Sequence, residues 1–331
     1  MVPPKNDLKF REMGCLHMAS EMAAQSVRVE KKRSKMTPSE KSRMKWGYLF
    51  IAPTILGMLI FVLAPVIFGF IVSLTHWDII SPMQWAGFSN YRKLFTADPL
   101  FYQSLRVTFY YGVVSVILIN ILALFLASLL NAKIRFKSFF RTVFYIPTIV
   151  PLVAAIVIWS FIYNPEYGLL NTVLGFFHIQ PQNWLYNSSL VIPAMIVMSL
   201  WGAGNNMVIY LAALQGVPQH LYEAIDMDGG GLWRRFWNVT VPMISPIIFF
   251  NFVTDFINSL QTFAQGQIMT DGGPNNASLF YILNLYNQAF TNNAMGYACA
   301  LAWVLFIIVA ICVGIIFRFS NRWVYYEGGA Q

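Results

Sequence analysis

The segment Gly296–Phe317, GYACALAWVLFIIVAICVGIIF, contains no charged side chain, and it is long enough to cross a bilayer core, which takes roughly 20 apolar residues as a helix. Five further windows have the same character. They are residues 48–74, 107–130, 142–163, 190–214 and 239–263. Asp255 is the only formal charge inside any of the six windows. The sequence therefore predicts an all-α integral membrane protein with six transmembrane helices.

The composition of the 331-residue chain excludes a soluble protein. Hydrophobic residues make up 57% of the chain and charged residues only 11%, too few to cover a soluble surface. The net charge of +8 does not indicate a nucleic-acid partner, because half of the basic residues lie before Trp46. Cys15, Cys299 and Cys312 form no C-x-x-C pair, so the sequence predicts neither a disulfide framework nor a metal cluster.

Basic residues set the predicted orientation, because Lys and Arg favour the cytoplasmic flanks of transmembrane helices. The N-terminal tail, the loops after the second and fourth windows and the C-terminal end hold 19 of them, whereas the three alternate loops hold only three. This asymmetry predicts that both termini are cytoplasmic. The predicted parts are a basic, disordered tail at 1–45 that lies against anionic lipid, a six-helix transmembrane domain at 46–325 and a short cytoplasmic end at 326–331.

The loop between the fourth and fifth windows, Val217–Pro242, has the sequence VPQHLYEAIDMDGGGLWRRFWNVTVP. The pattern predicts a cytoplasmic helix-turn-helix, in which Pro218 takes the first helical position, Gly229–Gly231 supply positive φ and Pro242 opens the next span. Each helix has one apolar face that needs a cover. Composition alone favours a different interpretation, two interfacial helices that lie on the bilayer.

The residues of this loop resemble the cytoplasmic signature of ABC importer permeases: Glu-Ala-Ala, three residues, Gly, nine residues and Ile-x-Leu-Pro. The corresponding residues here are Glu223-Ala224-Ile225, Gly229 and Val239-Thr240-Val241-Pro242, with the spacing kept and an apolar residue at each departure. Further stretches resemble the sugar-type branch of this family, whose best-known member imports maltose. They are Gly87–Tyr91, Asn164–Asn171, Thr270–Pro274, Tyr286–Phe290 and Gly296–Ala298.

The resemblance implies a permease subunit that relies on a separate cytoplasmic ATPase dimer. ATP and Mg are expected on that ATPase and no cofactor on this chain, whose sequence lacks the G-x-x-x-x-G-K-[ST] motif. In the family, the first helix of the loop docks in a cleft of the ATPase, so Glu223 is expected to face a basic group and Gly229 to allow a close turn. The residues expected to couple the chain to the ATPase are Glu223, Ala224, Asp228, Gly229 and Pro242.

The implied function is that of a non-enzymatic pore subunit in an ATP-driven carbohydrate importer of a prokaryotic plasma membrane. The implied partners are the ATPase, a second homologous permease, an extracellular substrate-binding protein, a sugar and membrane lipid. Nucleic acid is not among them.

Asp255 is the one ionisable residue inside a predicted span, where a charged group costs about 3 kcal/mol to insert and usually faces protein or water. Asn251 and Asn258 share its side of the helix, and amides with a carboxylate are suitable hydrogen-bond partners for sugar hydroxyls. The residues expected to line the substrate path are Trp201, Asn205, Asn206, Asn251, Asp255 and Asn258. The alternative is that these amides only hydrogen-bond one helix to another.

Two other functions use parts of the same pattern. An ion-coupled secondary transporter of small polar solutes would use Asp255 as its coupling carboxylate, but it gives no reason for the Val217–Pro242 loop. A membrane-embedded enzyme would need a paired His/Asp or Ser/His constellation at one depth, which the sequence does not indicate. His76, His178 and His220 have no Cys or carboxylate partners at metal-ligand spacing, so no metal site is predicted.

Overall fold

The computed structural model describes residues 37–132, 134–320 and 323–325, and within these ranges most residues are helical. The α-helices are α1 (Pro38–Met58), α2 (Ala64–Ser73), α3 (Ser89–Thr96), α4 (Pro99–Asn131), α5 (Lys137–Ile149), α6 (Leu152–Ile162), α7 (Leu169–Phe176), α8 (Val191–Leu200), α9 (Gly204–Gly216), α10 (Gln219–Met227), α11 (Leu232–Arg235), α12 (Val241–Leu260), α13 (Ala264–Thr270), α14 (Tyr281–Tyr286) and α15 (Met295–Ser320). Strands β1 (Thr75–His76) and β2 (Gln84–Trp85) pair antiparallel. The shorter turns are π-helical at Leu59–Leu63, Phe236–Thr240 and Asn287–Thr291 and 3-10 at Trp201–Ala203.

The chain divides into two units, residues 1–66 and residues 67–331. In the first unit, α1 begins at Pro38, inside the segment that the sequence assigns to the tail, and nearly all of its side chains are exposed. The π turn Leu59–Leu63 follows α1 and ends two residues before Pro65. The tail before residue 37, with Cys15, and the predicted C-terminal end lie outside the described residues.

Within the described residues, five helical stretches are long and apolar enough to cross a membrane, and they correspond to five of the six predicted windows. They are Lys41–Ser73, Pro99–Asn131, Val191–Gly216, Leu232–Leu260 and Met295–Ser320. The hydropathy of the sequence therefore predicts these helices correctly.

The sixth window, residues 142–163, is not one continuous helix as predicted. Helices α5 and α6 meet at a bend of 100°, as in a broken span or a re-entrant loop, so the number of spans is five or up to six. The break lies at Val150 and Pro151, whose ψ angles of 126° and 139° are outside the helical region. A residue before proline disfavours the helical conformation, and proline lacks the N–H that would continue the helix.

The second helix of the predicted loop and the predicted fifth span are one helix. Because α11, the π turn Phe236–Thr240 and α12 follow one another without a break, this helix begins at Leu232 rather than at residue 239. Pro242 therefore lies inside the helix and does not open it, contrary to the prediction. In a regular α-helix its ring would clash with the carbonyl four residues earlier, and that carbonyl belongs here to the wider π turn Phe236–Thr240.

Helix α4 lies at the centre of the second unit and packs against α8, α9 and α12. Ala123 and Ala127, one turn apart, are fully buried, and their small side chains allow a neighbouring helix to approach closely. They form one apolar cluster with Met207 and Tyr210 of α9 and Ile244 of α12. This packing brings the polar residues of three long helices together.

Candidate functional site

Helix α10 carries the Glu-Ala pair of the signature loop. It begins at Gln219, directly after Pro218, whose φ of −60° and ψ of 130° place it before the helix rather than at its first position. Glu223 and Ala224 are both exposed. The Glu223 carboxylate accepts a hydrogen bond from Gln219 Nε2 at 2.9 Å. The two residues are therefore accessible for contact with another protein.

Three consecutive glycines make the turn after α10, and two of them have a structural reason to be glycine. Gly229 has a φ of +73°, a conformation that other residues rarely adopt, although an added Cβ would meet nothing within 4 Å. At Gly230 an added Cβ would lie 2.3 Å from Cγ2 of Ile225, and Gly231, with a φ of −78°, precedes α11. The prediction of positive φ is confirmed for Gly229 and wrong for Gly230 and Gly231.

The other two predicted coupling residues lie at different places. Asp228 directly follows α10, is exposed, and donates its backbone N–H to the Ala224 carbonyl at 3.2 Å. Pro242 lies within the Leu232–Leu260 helix and takes no part in the turn. Glu223, Ala224, Asp228 and Gly229 therefore form one accessible end of the loop, from which Pro242 is separate.

Two side-chain contacts join α10 to the base of the Leu232–Leu260 helix. Arg235 forms an ion pair with Asp226, using Nε and Nη2 against both carboxylate oxygens. The hydroxyl groups of Tyr222 and Thr240 form a hydrogen bond at 3.1 Å. Sequence reasoning missed both contacts, although opposite charges on the two sides of a glycine turn are the signal that could have indicated the ion pair.

Large apolar side chains remain uncovered near this turn. Met227 is 89% exposed, Leu232 81% and Trp233 75%. The rings of Trp233 and Trp237 lie 5.6 Å apart in an edge-to-face arrangement. The apolar faces of the loop are therefore only partly buried within this chain. Ile225 is half-buried, whereas Met227, Leu232 and Trp233 are exposed.

A second candidate site is a hydrogen-bonded cluster around Asp255 in the Leu232–Leu260 helix. Its Oδ2 accepts hydrogen bonds from Asn206 Nδ2 at 2.6 Å and from Asn120 Nδ2 at 2.8 Å. The Oδ1 of Asn120 in turn accepts a hydrogen bond from the Tyr210 hydroxyl. One carboxylate thus joins α4, α9 and α12, the arrangement that the helix-to-helix alternative describes.

Two neighbouring cavities contain other residues of the predicted substrate path. A cavity of about 200 Å³ has Asp255 and Asn258 in its wall. Another of about 470 Å³ has Trp201 and Asn205 in its wall. Gln265 belongs to both walls, so the cavities adjoin each other. Their amides and indole can hydrogen-bond and stack with a polar solute.

Asn251 does not join the other predicted path residues. It is only 3% exposed, its Nδ2 has no hydrogen-bond partner among the described residues, and it lies in the wall of neither cavity. Sequence reasoning also missed Asn120, the only amide in the window 107–130, and Tyr210. The structure thus brings Asn206 and Asp255 into contact, and it places Asn251 in the wall of neither cavity.

Within the described ranges, no group of three or more His, Cys, Asp or Glu side chains could hold a metal ion. Cys299 and Cys312 are both free thiols. The side chains in the walls of the two cavities offer hydrogen bonding and aromatic contact.

Residues 119–325 match the family model described as "Binding-protein-dependent transport system inner membrane component". The chain belongs to this family. The match includes the whole Val217–Pro242 loop and the Asp255 cluster, so the resemblance noted in the sequence is confirmed. Family members are components of transport systems, and the chain is accordingly a multi-pass membrane protein.

Named relatives of this permease align with most of it. The probable ABC transporter permease protein YesP of Bacillus subtilis is 38% identical over 85% of this chain and 92% of its own. The arabinooligosaccharides transport system permease protein AraP of the same organism is 32% identical over 80% of this chain and 85% of its own. The trehalose/maltose transport system permease protein MalF of Thermococcus litoralis is 31% identical over 80% and 90%.

The fold of the permease also resembles a solved one. A chain of a bacterial ABC transporter involved in the import of the acidic polysaccharide alginate has a TM-score of 0.74 and covers 85% of this chain and 96% of its own. The two sequences are only 21% identical, so this likeness establishes the ABC permease fold and nothing about the solute.

Proposed function

We propose that this permease is the pore-forming subunit of an ATP-driven carbohydrate importer. The observation that carries the proposal is the alignment, over four fifths of the chain, with permeases named for arabinooligosaccharides and for trehalose and maltose. The two cavities support it, because amides, a carboxylate and Trp201 are groups that bind sugar hydroxyls and stack on sugar rings. On this proposal the chain catalyses no reaction of its own.

In the proposed topology, α5 and α6 count as one span, six spans cross the plasma membrane of a prokaryote, and both termini are cytoplasmic. The distribution of basic residues supports this orientation, because 19 of 22 lie in the tail, in the two loops and at the end that it places inside. It also places α10 and the glycine turn on the cytoplasmic side, as a helix-turn-helix coupling loop.

The proposed assembly contains a cytoplasmic ABC ATPase dimer, which binds ATP and Mg, a second homologous permease and an extracellular substrate-binding protein. No nucleic acid takes part. The exposure of Glu223 and Ala224 on α10, and of Asp228 directly after it, supports a protein contact there. The uncovered Met227 and Leu232 beside the turn support the same contact, because exposed apolar side chains of this size favour a partner surface.

An ion-coupled secondary transporter is not favoured. The family match is to a binding-protein-dependent system. In addition, Asp255 Oδ2 already accepts two amide hydrogen bonds, so this oxygen is committed to holding helices together.

The test is copurification of the tagged permease with an ATPase from its own membranes, followed by uptake of labelled maltose, trehalose and an arabinooligosaccharide into proteoliposomes. We expect ATP-dependent uptake, and Glu223→Lys should abolish copurification if a desolvated cation faces this carboxylate. Gln219→Ala is the matched control, because it removes only the internal partner of Glu223. Uptake that follows a proton or sodium gradient without ATP would refute the proposal.

A further inference from the structure

Helix α10 and the Leu232–Leu260 helix are joined by a short glycine segment, whose backbone is flexible. Three consecutive glycines, Gly229–Gly231, connect them, and glycine has more accessible backbone conformations than any other residue. The turn is secured by hydrogen bonds from the Gly229 N–H to the Asp226 carbonyl at 3.0 Å and from the Gly230 N–H to the Ile225 carbonyl at 2.9 Å. Without side-chain contacts across it, such a turn would act as a hinge.

Two side-chain contacts close this hinge: the ion pair of Asp226 with Arg235 and the hydroxyl pair of Tyr222 with Thr240. Asp226 and Tyr222 are four residues apart and therefore lie on one face of α10. The contacts thus hold two successive turns of α10 against the other helix. We refer to these four residues as the brace.

The π turn explains how Arg235 and Thr240 can both face α10. In a regular α-helix, two residues five positions apart point about 140° away from each other around the axis. A π turn instead closes on the fifth residue back, as the Val241 N–H does on the Phe236 carbonyl. The Thr240 hydroxyl likewise reaches the Arg235 carbonyl, at 3.3 Å. Residues five apart therefore come to the same side of the helix here.

We propose that the brace makes α10 and the Leu232–Leu260 helix move as one rigid body, so that a displacement of α10 becomes a displacement of the membrane-spanning helix. The inference rests on the proposed function, in which the ATPase moves α10. The four residues are positioning residues, because they touch neither the solute nor the nucleotide. Arg235 and Asp226 are 34% and 41% exposed, and ion pairs this exposed add little to the free energy of unfolding. The brace is therefore tested by the distance between the two helices rather than by stability.

The test measures one distance inside the permease by double electron–electron resonance. Spin labels are placed at His220 on α10 and Phe250 on the long helix, both exposed, after the native cysteines are replaced by serine. The labelled complex is first checked for ATP hydrolysis and then measured without nucleotide and after trapping with ATP and vanadate. With the brace intact we expect a single narrow distance that is the same in both states.

Breaking the brace should uncouple the two helices. In Asp226→Ala with Tyr222→Phe, we expect loss of the narrow distance and a shift between the two states, while the ATPase still copurifies. Exchange of the charges, Asp226→Arg with Arg235→Asp, should restore the narrow distance relative to either single reversal. Arg234→Gln is the matched control, because Arg234 is exposed and forms no ion pair among the described residues.

Two results would overturn the inference. One is a distance between the two labels that changes on trapping in the wild type. The other is a double variant, Asp226→Ala with Tyr222→Phe, that keeps the narrow distance in both states. Failure of the wild-type chain to bind an ATPase is a different result, which refutes the proposed function. The labelled permease alone still tests the brace in that case. The double variant, Asp226→Ala with Tyr222→Phe, must show a broader distribution of label distances than the wild type.

Discussion

Replacing Asp255 separates its two possible roles, as an anchor between helices and as part of a solute path. Its Oδ2 accepts hydrogen bonds from Asn206 and Asn120, which belong to two other helices. Asp255→Ala removes both bonds at once. Asn120 keeps a second bond to the Val116 carbonyl at 2.9 Å, whereas Asn206 Nδ2 has no other partner among the described residues.

The expected loss of stability follows from these two bonds. Hydrogen bonds between transmembrane helices contribute about 0.6 kcal/mol on average, and bonds to a charged group up to roughly 2 kcal/mol or more. Asp255→Ala should therefore lower the free energy of unfolding by roughly 1–4 kcal/mol. Asp255→Asn keeps an acceptor oxygen of the same size, so its loss should be about 1 kcal/mol or less.

The assay combines unfolding of the purified permease in mixed detergent micelles with uptake by the reconstituted importer. Asn258→Leu is the matched comparison, because Asn258 shares the 200 Å³ cavity with Asp255 but has no side-chain hydrogen bond among the described residues. We expect Asp255→Ala to reduce both stability and uptake, and Asn258→Leu to reduce uptake alone.

Three outcomes would contradict these expectations. If Asp255→Ala unfolds with the same free energy as the wild type, the two amide bonds do not anchor the helices. If Asp255→Asn abolishes uptake while its stability is unchanged, the charge itself acts on the solute or on an ion. Unchanged uptake in Asn258→Leu would show that Asn258 does not line the solute path and that its side chain only packs between helices.

The proposed topology predicts that alkaline phosphatase fused after Gln331 is inactive and that the same enzyme inserted near Asn183 is active; the reverse pattern would invert the orientation. Gly229→Val should strain the turn by about 1–3 kcal/mol and lower ATPase coupling while membrane insertion stays normal, whereas Gly231→Ala, with a negative φ and open space around it, should not. Gly204→Ala should destabilise the fold, because its Cβ would lie 2.1 Å from the Phe144 carbonyl oxygen, and Gly216→Ala, which meets nothing, serves as the control in the same unfolding assay.

Hydropathy predicted the long helices because each is a continuous apolar run. It failed at the point where backbone conformation, rather than side-chain polarity, ends a helix. The window 142–163 is apolar throughout, yet it breaks at Val150–Pro151. A hydropathy scale measures only the transfer of side chains into the membrane. It does not include the N–H that proline lacks or the non-helical conformation that proline favours in the residue before it. The two prolines of the window, Pro147 and Pro151, were the signal that could have predicted a break.

The start of the Leu232–Leu260 helix was missed for a related reason. Arg234 and Arg235 made the segment before residue 239 look like a separate loop helix, because charges end an apolar window. A helix can continue through its charged first turns into water, so the end of a window is not the end of a helix. The identity of the loop was still predictable, because the Glu-Ala pair and Gly229 keep a fixed spacing.

Partners between helices were the least predictable part of the site. Asn120 and Asp255 are 135 residues apart in the chain. Neighbouring residues on a helix point about 100° apart, so the sequence could not say which of Asn205 and Asn206 faces Asp255 without the rotation of α9. The structure buries Asn206 against the carboxylate and leaves Asn205 in the wall of the larger cavity.

The two candidate sites lie on the same helix, since Arg235 of the brace and Asp255 of the polar cluster are 20 residues, or roughly 30 Å, apart along the Leu232–Leu260 helix. The amides that hold Asp255 belong to α4 and α9 instead. If the brace makes the helix follow α10, Asp255 must then move relative to Asn120 and Asn206, or carry their helices with it. A base held to α10 by the brace and a carboxylate anchored to two neighbouring helices would together convert movement at the loop into rearrangement beside the cavities.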